Sequence, residues 1–294
     1  MSSTEDAAEL GWILLCLNYG SVVVTSCWAY DYFLTFSDEV AFLTQSQCTW
    51  AKMLYFTCRY LTCVFLILVM LVALLPTMSI QMCQVLYSVN THLGGVIMLC
   101  AEGVFLTRTC AIWEFRRRMM ILFLTTAAMY VIAAATVLSI GRRTSPTITK
   151  SPVPITSCFD AGEGVTVIIV YVILALAEIQ IWGFTVYKAA KGYWREGTHN
   201  RLLEQLIHHN VIYVTCGLVF SLAVILTTVL VKESYGFMIA KFVRIWQVTV
   251  HAFLVIKMYR GLWRENQQRT LLLVETSTFE LATLHAAPGM PIQP

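Results

Sequence analysis

Long apolar stretches separated by short charged ones dominate the chain. Leu10–Tyr30 carries no charge, and Tyr60–Ala101 is uncharged for twice that length, with Pro76 near its middle. Met119–Gly141 is uncharged, and Val165–Tyr187 is apolar apart from Glu178. Leu206–Val231 is uncharged apart from His208 and His209, and Phe237–Ile256 is apolar but holds Lys241 and Arg244. About 20 apolar residues in a helix cross a hydrocarbon core of about 30 Å. The longest stretch therefore reads as two spans broken around Pro76–Ser79, since proline ends or kinks a helix. The pattern predicts seven spans, at 11–36, 52–75, 81–111, 119–140, 164–187, 207–231 and 237–257. Backbone groups cannot stay unpaired in lipid, so each span is a helix unless the chain is a barrel. Barrel strands alternate over about ten residues, whereas these blocks are continuously apolar. The fold class expected is all-α, an integral membrane bundle of seven transmembrane helices. No repeat of fixed period is visible.

Composition narrows the class. Of 294 residues, 58% are apolar and 13% charged, with mean hydropathy +0.69. Soluble domains run at about 45–50% and 25%. A water-exposed globule of this composition would carry large apolar patches, which excludes a soluble enzyme, a secreted disulfide scaffold and a disordered regulator. The net charge of +3 is too small to suggest nucleic acid.

Where the charges fall matters more. With the N-terminus outside, thirteen Lys and Arg lie in inner segments and four in outer ones. Cytoplasmic loops are enriched in these residues, so the N-terminus is expected outside and the C-terminus in the cytoplasm. Residues 1–9 are acidic with no basic leader, so the first span reads as an uncleaved signal-anchor. Residues 1–260 form the expected membrane domain, in the plasma membrane or an endomembrane. Residues 261–294 form a cytoplasmic tail expected to be partly disordered.

Most of the ten cysteines lie in spans or near the cytosol, where thiols stay reduced and pack as small apolar groups. Two differ: Cys83 at the outer mouth of span 3, and Cys158 in the longest outer loop, Arg142–Glu163. A Cys83–Cys158 disulfide is expected, with two free thiols as the alternative.

Ionisable groups within spans are costly and usually paired or wet. Asp31 and Arg59 fall at similar depth from the inner ends of spans 1 and 2, so an Asp31–Arg59 ion pair is expected, against separate snorkelling to headgroups. Glu102, Glu178 and Arg244 are candidate residues of a central polar cavity, or structural pairs within the bundle. His92 and His251 read as interhelical hydrogen-bonding residues rather than metal ligands. His208 and His209 read as solvated at the inner interface.

No H-E-x-x-H, G-x-S-x-G, Gly-rich phosphate loop or paired C-x-x-C occurs. No catalytic role, cofactor or metal is therefore expected. Arg116, Arg117 and Arg118 form a basic cytoplasmic cluster that suits acidic headgroups or a cytosolic signalling partner. Its plainer role is to set topology.

One stretch carries a resemblance. Residues 30–40 read YDYFLTFSDEV and residues 52–60 read KMLYFTCRY. This region resembles the N-terminal domain of unknown function 6533 of fungal, chiefly basidiomycete, multi-pass membrane proteins. The matching positions are Tyr30, Asp31, Tyr32, Thr35, Glu39, Val40, Lys52, Leu54, Tyr55, Arg59 and Tyr60. Arg108–Trp113 resembles that family's signature at the end of span 3, and Cys158 its outer-loop cysteine. Thr44 stands where many members have Trp. The resemblance implies seven helices and a conserved motif around Asp31 and Arg59, but no established activity.

The plan expected is receptor-like, sensing or signalling through an unidentified ligand. Fold alone does not imply function: the end of span 3 reads Thr107-Arg108-Thr109, and span 7 lacks Asn-Pro-x-x-Tyr. The alternative is a transporter or channel for a small solute, with Glu102, Glu178 and Arg244 along its route. A retinal protein is disfavoured because neither Lys241 nor Lys257 lies in mid-span.

Overall fold

A computed structural model describes residues 2–45, 50–75, 78–144, 148–150, 158–160, 164–196, 201–230 and 239–261. The helices are α1 (Ser2–Gln45), α2 (Trp50–Leu74), α3 (Ile80–Ile112), α4 (Arg117–Thr144), α5 (Gly164–Glu196) and α6 (Arg201–Leu230). A seventh, α7, covers Ile239–Gly261. All seven are long and apolar enough to cross a membrane. The expected tail, 262–294, lies outside the described residues.

Span positions follow the hydropathy, but helix ends do not. The apolar part of α1 is Ala8–Ser37, yet the helix continues to Gln45. Likewise α5 runs on to Glu196 and α6 starts at Arg201. Intrahelical hydrogen bonds form in water as well as in lipid, so the helix outlasts the apolar stretch. The expected break is present. Leu75 N still bonds to Leu71 O at 3.2 Å, and α3 is capped by Ser79, whose hydroxyl accepts from Met82 N at 3.3 Å.

The turn from α3 to α4 is tight. Glu114 N bonds to Ala111 O at 2.9 Å and Phe115 N to Cys110 O at 3.0 Å, a Schellman closure. Glu114 and Phe115 hold positive φ values of 56° and 50°, where glycine is usual.

The segment between α4 and α5 contains a short antiparallel ribbon rather than loop alone. β1 (Ile148–Lys150) pairs with β2 (Cys158–Asp160), Lys150 opposite Cys158. β1 lies against α3.

The centre of the bundle is built by α3 and α7. One core cluster joins Val24 and Trp28 of α1, Phe65, Leu66 and Val69 of α2, Ile97 and Met98 of α3, and Val248 and Ala252 of α7. A second joins Cys58, Ala101, Val104, Phe105, Ile181, Val214, Val255 and Met258. By contrast α4 is peripheral, holding on to α5 through Phe123 against Phe184 (5.0 Å between ring centroids) and Gln180 Nε2 to Thr126 Oγ1 at 3.0 Å. Its outward Ile121, Leu124, Met129 and Ile132 are each more than 60% exposed. Water would not tolerate that face on a monomer, whereas lipid tails solvate it. The chain is an integral, multi-pass membrane protein in contact with the bilayer.

Candidate functional site: a buried acid–imidazole–acid joint

Three of the bundle's helices meet through charge. Glu102 projects from α3, Glu178 from α5 and His251 from α7. His251 Nε2 stands 3.2 Å from Glu178 Oε1 and 3.7 Å from Glu102 Oε1. One ligand-capable atom from each residue lies within 4.8 Å of the others. His251 is fully buried and Glu178 nearly so, while the Glu102 side chain retains 15% exposure. Each sits ten or more residues from the nearer end of its span, about 15 Å or more of helical rise, so the joint lies near mid-depth.

The imidazole is oriented by its own helix. His251 Nδ1 lies 3.0 Å from Gln247 O. A carbonyl oxygen only accepts, so Nδ1 carries hydrogen and donates. Nε2 is thereby aimed at the carboxylates. Phe105 packs edge-on against the ring, 6.3 Å between centroids. Space for the group comes from α6: a Cβ on Gly217 would sit 2.7 Å from His251 Nε2 and 3.1 Å from Glu178 Oε1. Both oxygens of Glu102 and Oε2 of Glu178 are buried without a hydrogen-bond partner. The joint thus gathers two acids around one imidazole and leaves acceptor capacity unused.

Of the expected cavity set, Glu102 and Glu178 come together around His251, and, among the described residues, Arg244 makes no ion pair with them. It stands two turns before His251 on α7, about 10 Å along the axis. Tyr171, two turns before Glu178 on α5, is an electrostatic neighbour of both Arg244 and Glu178. His251, expected to be an interhelical hydrogen-bonding residue, is one: its Nε2 meets Glu178 of α5, and it is the hub of the joint. Gly217 gave no sequence signal.

The expected Asp31–Arg59 pair is corrected. Arg59 Nε meets Glu39 Oε2 at 2.6 Å, both side chains 1% exposed, as an ion contact rather than an aligned hydrogen bond. Arg59 also donates from Nη2 to Thr35 Oγ1 at 3.1 Å and lies over the Tyr32 ring, 4.7 Å from its centroid. Asp31 pairs instead with Arg260 at 3.3 Å, tying α1 to α7. The reason is α1's length. With that helix continuing to Gln45, Asp31 lies 14 residues before its end and Arg59 nine after the start of α2. That is a mismatch of about 7 Å in depth. Burial raises the Glu39 carboxyl above the ordinary range, outweighing the pull of the Arg59 and Arg260 guanidinium groups.

Smaller polar contacts flank the joint. Toward the basic end, Thr109, Thr185 and Asn210 form a buried network at 3.2–3.4 Å. Gln247 Nε2 donates to Ser221 Oγ at 2.6 Å, and Lys241 donates to the Tyr87 hydroxyl. His92 Nδ1 lies 2.6 Å from Ser88 O. The side chains of His208 and His209 lie outside the described residues.

Arg116, Arg117 and Arg118 are exposed at the start of α4. Arg116 makes only a loose contact with Glu114, 3.9 Å apart. Trp113 stacks on Tyr187, centroids 6.2 Å apart, and Lys188 lies over its ring. Seven described cysteines are free thiols. Cys83, buried at 2%, is not one of them. The Cys158 side chain lies outside the described residues.

Among the described residues, seven helices able to cross a membrane and a buried acidic joint define a polytopic membrane protein. The family described as "Family of unknown function (DUF6533)" matches residues 19–64. That segment contains Asp31, Tyr32, Thr35, Glu39 and Arg59, so the matched region is the α1–α2 ion-pair junction. No curated protein matches the chain, and no solved structure does.

Proposed function

We propose that the chain is a receptor-like seven-helix sensor with its N-terminus outside and its C-terminus in the cytoplasm. The observation that carries this reading is the joint of Glu102, Glu178 and His251, which couples α3, α5 and α7 at mid-depth through groups whose contacts depend on charge. A change at such a joint alters how three helices sit against one another, and bistable packing is how small shifts become large ones. The exposed Arg116–Arg118 cluster at the end of α3 is then the contact for a cytosolic signalling partner or acidic headgroups. Support for the orientation comes from the odd number of spanning helices and from the thirteen-to-four partition of Lys and Arg. The Cys83–Cys158 disulfide belongs to the same reading: β1 lies against α3, and Cys158 stands opposite Lys150 of β1. No catalytic step is assigned.

Two experiments test it. Tags on both termini and an impermeant thiol label on intact cells, before and after reduction, should place the N-tag outside and the C-tag inside. Cys83 and Cys158 should label only after reduction; both tags on one side would overturn the plan. Nucleotide exchange on the host's own G-protein α-subunits should respond to Glu178→Gln, and no response would reject that partner class. The second reading, a transporter or channel, draws on the residual exposure of Glu102 and its unpaired oxygens. It predicts solute flux in proteoliposomes that falls in Glu102→Gln.

A further inference from the structure

We propose that the Glu102–Glu178–His251 joint is a binding site for a divalent first-row transition-metal cation of the zinc class. The inference rests on the joint's geometry and stands apart from the receptor reading. Four observations carry it.

The first is donor identity. Two carboxylates and one imidazole form a borderline-hard set suited to zinc, manganese, iron(II) or cobalt(II). The second is spacing. Ligand atoms at about 2.1 Å from a tetrahedral ion stand about 3.4 Å from one another. Nε2 of His251 lies 3.2 Å from Glu178 Oε1 and 3.7 Å from Glu102 Oε1, on either side of that value.

The third is the orientation of the ring. Metal-bound histidines commonly donate their other ring N–H to a carbonyl or carboxylate, as Nδ1 does here to Gln247 O at 3.0 Å. Nε2 then faces Glu178 Oε1 at 3.2 Å, where either a proton on Nε2 or a metal ion bound by the neutral ring joins the two. The fourth is satisfaction and room. Glu178, nearly fully buried, has Oε2 unpartnered, and Gly217 leaves a cradle that a Cβ would fill beside Nε2.

Charge balance points the same way. With both acids ionised and the imidazole neutral the set sums to −2, which a divalent cation cancels in a medium where net charge is costly, in place of protons on the imidazole and one acid. Among the described residues, the ion contacts of Glu102 and Glu178 are to His251 alone, and Arg244 of α7 is two turns away.

The test uses the full chain, purified in lipid nanodiscs, stripped with chelator and titrated with cobalt(II) alone. One equivalent should bind to the wild type, with the visible d–d absorption of low-coordinate cobalt, and zinc should displace it. Binding should weaken as pH falls, since the ligands must shed protons. His251→Gln and Glu178→Gln should each weaken it by about 100-fold, the upper range for loss even of outer-shell support. Gly217→Ala keeps all three ligands and should weaken it by filling the cradle. Tryptophan fluorescence during heating reports whether each variant is folded. Failure of the folded wild type to take up one equivalent overturns the proposal. So does cobalt binding of undiminished affinity in any folded ligand variant, which would move the ion to other histidines or to the cysteines.

Discussion

Two buried charge clusters occupy one bundle and are built on opposite principles. At the junction of α1 and α2, one cation meets one anion: Arg59 and Glu39 touch at 2.6 Å, and Thr35 and Tyr32 engage the rest of the guanidinium. At the joint of α3, α5 and α7, two acids surround one imidazole, and three carboxylate oxygens lack hydrogen bonds. Along α7 the two levels are bridged by nine residues, from Arg260 beside Asp31 to His251, about 14 Å. The first cluster is balanced without a guest and works as a clamp. The second has more acid than base and balances by holding protons or, as proposed above, a metal ion.

The largest effect expected is at the clamp. Glu39→Gln or Arg59→Met alone leaves one buried charge unpaired and should cost about 3–5 kcal/mol. Glu39→Leu with Arg59→Met should recover most of that, because replacing a whole buried pair is often neutral. Unfolding in detergent of the three proteins measures it. Equal losses in the single and double variants would contradict a clamp.

Gly217→Ala comes next, at about 1–3 kcal/mol of overpacking, since its Cβ would press on His251 Nε2. Gly183→Ala on α5 meets nothing within 4 Å. It should be neutral or stabilising by up to about 1 kcal/mol from helix propensity. If both substitutions behaved alike, α6 would not be closing the joint.

Asp31→Asn should cost about 1 kcal/mol or less, because the Asp31–Arg260 contact is partly exposed. A loss larger than that of Glu39→Gln would return Asp31 to the role that its depth from the sequence suggested. A change of similar size, away from both clusters, is at the α3–α4 turn. Glu114→Gly removes a left-handed non-glycine and should raise stability by about 1 kcal/mol. An unchanged unfolding midpoint would show no strain there.

Hydropathy located all seven helices because lipid demands about 20 apolar residues wherever the chain crosses. It carried no information on how each helix is rotated about its axis. Glu102 and Glu178 stood out as charges in apolar runs, and that is a physical cost visible in one dimension. Their shared partner His251 stood out only as an interhelical hydrogen-bonding residue, since hydropathy does not say which helix its ring faces. Gly217 was silent because a missing side chain matters only through what faces it. Glu39 illustrates a different loss. It lies inside the YDY…EV…RY stretch, but the apolar run ends before it, so depth counting from residue 36 chose Asp31. The helix itself continues nine residues further, and that extension sets which acid reaches Arg59. Arg244 shares a helix face with His251, yet two turns separate them, a distance that a list of buried charges does not show.

Thermal unfolding in nanodiscs, with and without zinc(II), tests the contrast between clamp and site most directly. Three proteins are compared: the wild type, the Glu39→Leu/Arg59→Met double variant and His251→Gln. Zinc at 100 times the wild-type dissociation constant should stabilise the first two by about 2.7 kcal/mol and the third by only about 0.4 kcal/mol. Stabilisation of all three alike, or of none, would contradict the account.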